Sequence, residues 1–460
     1  MSNSGFPRRD FLAASIASAS ALRAAQTLNR KRPNILYLHS HDTGRYTQPY
    51  GHAIPTPNLQ KLAEEGVLFR QAFCAAPTCS PSRAALLTGQ CPHSSGMLGL
   101  AHRGFSLNDY SQHLVHTLKA AGYLTAQCGV QHVARDPKTT GYDRILTTNG
   151  RAVQASAEAV RFLSEAAGNP FFLDVGFSET HREFPVPGPK EDPRYCTPPP
   201  ILPDTPEVRQ DMAAYKASAR VMDDAVGTVL RALEARGLAD NTLVISTTDH
   251  GIPFPGMKCS LTDHGMGVML TMRGPGGFRG GKVSDAMVSH IDLFPTICDL
   301  LELRHPGWLQ GRSLMPLIRG EKEEINEQVF SEVSFHAAYE PKRAVRTHRW
   351  KYIRHFDDRG RPNLPNCDDG LSKSHWLNNG WREQRVDREY LFDLMFDPLE
   401  RNNLVSDGSA KAALAEMRGR LDRWMNETAD PLLKGPVAVP PGARINDADG
   451  TSPRETPRQY

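Results

Sequence analysis

Asn34-Ile35-Leu36-Tyr37-Leu38-His39-Ser40-His41-Asp42-Thr43-Gly44 begins as an unbroken apolar run and ends in a cluster of polar side chains able to hold ligands. A strand that is apolar on both faces, instead of alternating, is one covered by helices on each side. Working outward, the same arrangement recurs. Tyr123-Leu124-Thr125-Ala126-Gln127-Cys128 leads into Gly129-Val130-Gln131-His132, the run 170–177 leads into Ser178-Glu179-Thr180-His181, and Thr242-Leu243-Val244-Ile245-Ser246 leads into Thr248-Asp249-His250-Gly251. Helical patterns over 58–65, 111–121 and 212–237 punctuate the same stretch of chain, the last being the clearest amphipathic segment. The alternation predicts an α/β fold built on a large, mostly parallel sheet flanked by helices.

In such a sheet, ligands bind beyond the carboxyl ends of the strands. His41 with Asp42, His132, His181, and Asp249 with His250 each follow an apolar run by a few residues, so the topology gathers them on one edge. Any of these histidines read alone is an ordinary surface or core residue; their shared position marks a site.

The stretch Cys79-Ser80-Pro81-Ser82-Arg83-Ala84-Ala85-Leu86-Leu87-Thr88-Gly89 supplies a further group at that edge. Pro81 fits a first helical position and Gly89 a position just past the last turn, which puts Cys79 at a helix N-terminus. Unpaired N–H groups and the positive dipole end attract anions there and predict a depressed thiol pKa. Residue chemistry leaves three roles for Cys79: a nucleophile, a redox thiol, or a small buried side chain.

The pattern Cys-Ser-Pro-Ser-Arg followed by Leu87-Thr88-Gly89 resembles the signature of the type I sulfatases, members of the alkaline phosphatase-like superfamily. The resemblance implies that a formylglycine-generating enzyme oxidises Cys79 to formylglycine. One hydroxyl of its hydrate then attacks sulfur and the other later expels sulfate. By the same likeness Arg83 steadies the formylglycine and neighbouring charge, His132 accepts a proton from the expelling hydroxyl, and His181 donates one to the leaving oxygen or nitrogen. Lys258 matches the sulfate-binding lysine.

The family holds a calcium ion with paired aspartates after the first strand and an Asp-Asn after a later one. Asp42 and Asp249 match, but His41 stands at the first aspartate and His250 at the asparagine. A metal cage of His41, Asp42, Cys79, Asp249 and His250 suits Mn²⁺, Zn²⁺ or Fe²⁺ better than Ca²⁺. This Asp-His version also looks like that of phosphonate monoester and choline-sulfate hydrolases. A further departure is Val130, where the family carries a lysine two residues before the histidine. Either His41 or another donor, such as His102 or the substrate-side His93 or His264, makes up the charge, or activity toward ordinary sulfate esters is weak.

Three more stretches resemble the sulfamidase (heparan N-sulfatase) branch: Pro92-His93-Ser94-Ser95-Gly96-Met97-Leu98-Gly99-Leu100, Asp249-His250-Gly251-Ile252-Pro253-Phe254-Pro255, and Leu391-Phe392-Asp393-Leu394 with Asp397-Pro398. They imply a sulfated sugar or glycan as substrate, with N-sulfate cleavage leading. Two other readings are a phosphonate or phosphodiester hydrolase of the same fold, suggested by Asp249-His250, and a non-catalytic glycan-binding relative, suggested by Val130.

With 39% hydrophobic and 23% charged residues and a net charge of +3 in 460 residues, the chain reads as a globular enzyme and gives no support to nucleic-acid binding. Its eight cysteines show neither CxxC pairs nor zinc-type spacing. Arg8-Arg9-Asp10-Phe11-Leu12 before an Ala/Ser-rich run resembles a twin-arginine export signal over 1–30, implying a periplasmic or secreted protein; the alternative is a basic tail. No later run reaches the roughly 18 apolar residues of a membrane span. The expected division is a catalytic domain over 31–325, a small C-terminal antiparallel α+β subdomain over 326–433, and a loose tail over 434–460. Within these, 343–354 alternates as one half-exposed strand, and the Pro-rich 184–206 reads as a loop on the pocket rim.

Overall fold

Strand β1 (Asn34–Ser40) is buried along its whole length and lies inside an eight-stranded sheet. The computed structural model describes residues 32–166 and 168–460, so the export-signal reading of 1–30 lies outside the described residues. The remaining strands of this sheet are β2 (Val67–Phe73), β3 (Leu124–Gly129), β4 (Arg144–Thr147), β5 (Phe171–Gly176), β6 (Thr242–Thr248), β7 (Leu270–Arg273) and β8 (Lys282–Ser289). Their order is β4-β3-β5-β1-β6-β7-β2-β8. Only β7 runs antiparallel, pairing that way with both β6 and β2.

Helices cover both faces, which is why the central strands carry no polar face. The helix Pro206–Ala235, longer at its start than the sequence pattern indicated, packs with the helix Ala152–Glu165 over Leu36, Leu38, Leu173 and Val175. A second apolar cluster joins Ile35, Phe172 and Ile245 to residues of the opposite layer. Among the described residues, no helix is long and apolar enough to cross a membrane.

Register is what positions the site. His39 pairs with Gly176 and Thr247, and Gly129 also pairs with Gly176, so β3, β5, β1 and β6 end level. A Cβ at Gly176 would lie 2.0 Å from the Val130 carbonyl oxygen and 2.4 Å from His39 Cε1. Glycine there lets the strand ends close up.

A separate antiparallel sheet contains β9 (Val329–Phe335), β10 (Tyr339–Arg346), β11 (Trp350–His355) and β12 (Glu389–Asp393) in the order β12-β11-β10-β9. The helix Lys411–Glu427 covers it, burying Leu414, Met417, Leu421 and Trp424 against Val345, Tyr352 and Leu391. The stretch 343–354 is therefore a hairpin and not one strand. Arg346 pairs with Lys351, and alternation carries across the turn because both arms share the period of two.

Two further expectations fail. The stretch after Lys434 is not loose: Ala443, Ile445 and Asn446 are buried, and β13 (Arg444–Ile445) pairs with β14 (Arg458–Gln459). Arg103 holds it, donating to Asn446 Oδ1 at 2.5 Å and to the Pro453 carbonyl at 3.0 Å. The Pro-rich 184–206 does not line the Cys79 pocket; Phe184, Cys196 and Leu202 pack on Val208, Met212 and Tyr215, apolar anchors among the prolines.

Candidate active site

The helix Cys79–Thr88 follows β2 and is buried at every residue. Cys79 is its first residue and Pro81 its third, not its first; a proline is tolerated there because first-turn N–H groups have no intrahelical partner. Gly89 closes it at φ 68. The thiol itself departs from expectation. Burial pushes its pKa well above the usual range; Lys258 opposes this, but Asp42, Asp249 and Asp368 add to it. Unmodified Cys79 is held protonated, because loss of water outweighs the helix end.

Beside Cys79 two buried carboxylates meet two imidazoles. Asp249 Oδ1 accepts the backbone N–H of Asp42 at 2.8 Å and of His250 at 3.0 Å, while its Oδ2 accepts from Arg83 Nη2 at 3.0 Å. His41 Nδ1 lies 2.8 Å from Asp42 Oδ1 and 3.3 Å from Asp249 Oδ2. His250 Nδ1 faces the Gly251 carbonyl at 3.0 Å, and since a carbonyl only accepts, Nδ1 carries a hydrogen and Nε2 is the nitrogen turned to the site. His250 Nε2 lies 3.2 Å from Asp42 Oδ1 and 3.4 Å from Cys79 Sγ. Burial lowers the pKa of His41 to about 4, so one of its ring nitrogens keeps a lone pair.

Burial works against both carboxylate charges, yet Lys258, His41 and His250 hold Asp42 well below the usual range, and His250, His41 and Arg83 do the same for Asp249. Donor atoms of His41, Asp42, Cys79 and Asp249 all lie within 4.8 Å of one another. The imidazoles of His41 and His250, two anchored carboxylates and an atom at position 79 make a donor set that fits a divalent cation.

Arg83 is tied down from behind. Its Nη2 also donates to the Ser40 carbonyl at 3.0 Å, and Nη1 donates to His39 Nδ1. His39 Nε2 in turn donates to Asp174 at 2.8 Å, which also accepts from Tyr142 at 2.5 Å. Burial opposes the Arg83 charge, but Asp249 leads the groups that raise its pKa, so the guanidinium stays charged and fixed.

Lys258 bridges Asp42 at 2.9 Å and Asp368 at 2.8 Å. Burial opposes its charge too, and Asp368 with Asp42 outweighs it. His181, more open, places Nε2 4.0 Å from Asp42 Oδ2. A cavity of about 230 Å³ opens above these groups, lined by Cys79, His132, His181, Lys258, Asp368 and Arg454 among others. His132 and Asp42 both adopt left-handed backbone, φ 55 and φ 57, a conformation uncommon outside glycine. Val130 packs against Gly150 and offers no cation.

Two expected site residues lie elsewhere. His93 Nδ1 bonds Glu332 at 2.7 Å inside a buried cluster with Arg343 and Asp430, at the join with the small sheet. His264 borders a different cavity, of about 570 Å³. Both follow loops rather than the carboxyl end of a parallel strand, so topology does not carry them inward. Conversely, Asp368, His336 and the tail residue Arg454 line the pocket unannounced. They lie in irregular segments outside every motif, and no periodicity flags them. His39 had a signal, its place at the end of β1.

Sheet order and site together place the protein among hydrolases of the alkaline phosphatase-like fold. The family model for sulfatases matches residues 33–303, and the chain belongs to the sulfatase family. A second model, described as N-sulphoglucosamine sulphohydrolase, C-terminal, matches 257–369, the segment that carries Lys258 and Asp368. The human N-sulphoglucosamine sulphohydrolase is 32% identical over 92% of this chain and 96% of its own. A delta 4,5-hexuronate-2-O-sulfatase of Bacteroides thetaiotaomicron is 26% identical over 95% and 98%. A solved structure described as a complex with its substrate D-glucosamine-2-N,6-O-disulfate superposes with a TM-score of 0.70 at 19% identity, covering 88% of this chain and 99% of that one, and speaks for the fold.

Proposed function

We propose that this sulfatase removes the N-sulfate group of glucosamine-type sugars through formylglycine at position 79, with a divalent transition ion, after export by its twin-arginine-like leader. The observation that carries the reading is the Cys79 pocket, where Lys258, His132 and His181 surround the helix start, with Arg83 fixed behind it on Asp249, in a space about the size of one sugar unit. The family relationship to an N-sulphoglucosamine sulphohydrolase over nearly the whole chain supports the substrate class.

Each side chain has a task in this reading. Formylglycine at position 79 supplies, as its hydrate, the nucleophilic hydroxyl. His41, Asp42, Asp249 and His250 would hold the ion, which draws charge from the sulfate oxygens. Lys258 and Arg83 offset the remaining negative charge from fixed, water-poor positions. His181, at the open side, gives a proton from Nε2 to the leaving nitrogen, which an amine requires. His132 takes the proton of the second hydroxyl as sulfate is expelled.

The test is release of sulfate from N-sulfoglucosamine, O-sulfated sugars, an aryl sulfate and an aryl phosphonate by purified enzyme. Preference for N-sulfate upholds the reading, and preference for an O-sulfate overturns the substrate within the same family. His250 beside Cys79 favours a second reading, a phosphonate or phosphodiester hydrolase, which a preference for the phosphonate would install.

A further inference from the structure

We infer that His102 is a positioning residue for His132: it accepts a hydrogen bond from Nε2–H of His132 and so leaves Nδ1 of His132 as the nitrogen that takes up the proton. What that proton does rests on the sulfatase mechanism proposed above; the pair itself rests on geometry.

His102 Nδ1 lies 2.8 Å from His132 Nε2, and the two ring planes differ by 16° with centroids 5.0 Å apart. Rings stacked face to face approach more closely. At this separation, near-coplanar rings meet edge to edge, and the hydrogen lies in line between the two nitrogens. With Nε2 so engaged, Nδ1 is the other place a proton can go on His132, and the ring offers a nitrogen within 4.8 Å of donor atoms on Cys79 and His41.

The direction of the bond follows from the proton that must arrive. As sulfate leaves, the O–H bond of the second hydroxyl breaks and its proton passes to Nδ1. The freed electron pair closes the C=O bond, and the C–O bond to sulfate breaks with its pair on sulfate. His132 is then an imidazolium with hydrogens on both nitrogens. If His102 donated, two N–H groups would face each other at that moment; if His102 accepts, the cation is stabilised, as the base of a catalytic triad is by its acceptor.

The surroundings keep His102 an acceptor. His102 is solvent-exposed on its outer edge, but water lost from the inner edge that meets His132, with the charges of Arg103 and Arg444, lowers its pKa to about 4, so the ring stays neutral. Both arginines direct their donors at carbonyl and amide oxygens: Arg103 at Asn446 and Pro453, Arg444 at His102. Arg444 Nη2 donates to the His102 carbonyl at 2.8 Å, and Arg103 clamps Asn446 and Pro453, so the C-terminal segment fixes the turn that carries His102. The family lysine absent at Val130 is thus answered by a neutral partner for the base and not by a replacement cation.

His102→Leu and His102→Asn separate the possibilities, since asparagine can place an acceptor oxygen where Nδ1 stands. The expected result is a fall in kcat of about tenfold to a hundredfold for His102→Leu, with KM, metal content and thermal midpoint unchanged, and recovery of most of kcat in His102→Asn. Equal kcat in wild type and His102→Leu, or no recovery in His102→Asn, overturns the inference. Ring ¹⁵N resonances of histidine-labelled protein give a readout independent of turnover: His132 should be the Nε2–H tautomer in wild type and lose that preference in His102→Leu. An Nδ1–H tautomer in wild type also overturns it. Wild type that cleaves no sulfated substrate, yet shows the Nε2–H tautomer, removes the functional reading and leaves the pair standing.

Discussion

Lys258 and Asp42 form a buried ion pair, Nζ to Oδ2 at 2.9 Å, on the floor of the pocket into which Cys79 opens. The same ammonium reaches Asp368, so one cation serves two carboxylates from different parts of the chain. Lys258→Met should therefore lower kcat by roughly 10²–10³ and cost about 3 kcal/mol of stability, because it strips a fixed charge from the reacting group and leaves two buried anions unpaired. Steady-state kinetics and denaturant titration check both effects; a loss of activity with no loss of stability would contradict the buried pairing.

Cys79→Ala should abolish sulfate release while changing stability by less than about 1 kcal/mol, since alanine fits the first turn of a helix and replaces a small buried side chain. The mass of the peptide spanning Cys79 from wild type should show the aldehyde or its hydrate. Turnover in the alanine variant would remove the formylglycine mechanism.

Protein purified without added metal should contain a transition ion at least as readily as calcium by elemental analysis. His41→Ala and His250→Ala should each reduce bound metal about tenfold at fixed free ion. Stoichiometric calcium alone, unchanged in His41→Ala, would take His41 out of the cage.

His93→Gln should act on stability and leave kcat per folded molecule intact, because the ring bonds Glu332 in the interior and not the pocket. Burial opposes the His93 charge, but Glu332, then Cys91, raises its pKa to about 11, above the ordinary 6.5. A raised pKa gives stabilisation that is complete below about pH 6.5 and is lost as pH climbs through about 11. The gap in stability between wild type and His93→Gln, on the order of 3 kcal/mol at pH 6, should shrink toward pH 10. A gap that grows with pH would refute the charged pairing.

The reading of Cys79 shows where local sequence reasoning stops. A helix N-terminus does lower a thiol pKa, but that influence is worth about 1 kcal/mol or less, whereas desolvation by a helix buried at all ten positions is worth several. Nothing in ten residues of sequence states that the helix runs through the interior. The hairpin at 343–354 was hidden for a different reason: alternation is the same on either side of a tight turn.

The sequence by itself determined the parallel sheet and the edge at which His41, Asp42, His132, His181, Asp249 and His250 gather. Apolar runs bury themselves, and a parallel strand must end beside its neighbours. It determined Cys79 and Arg83 as well, through a contiguous pattern. Tertiary structure alone decided that His93 is a buried strut, that Asp368 completes the Lys258 bridge, that His102 meets His132, and that the final segment returns to wall the pocket. These are contacts between residues that no period links, made by loops whose paths are set by what they pack against.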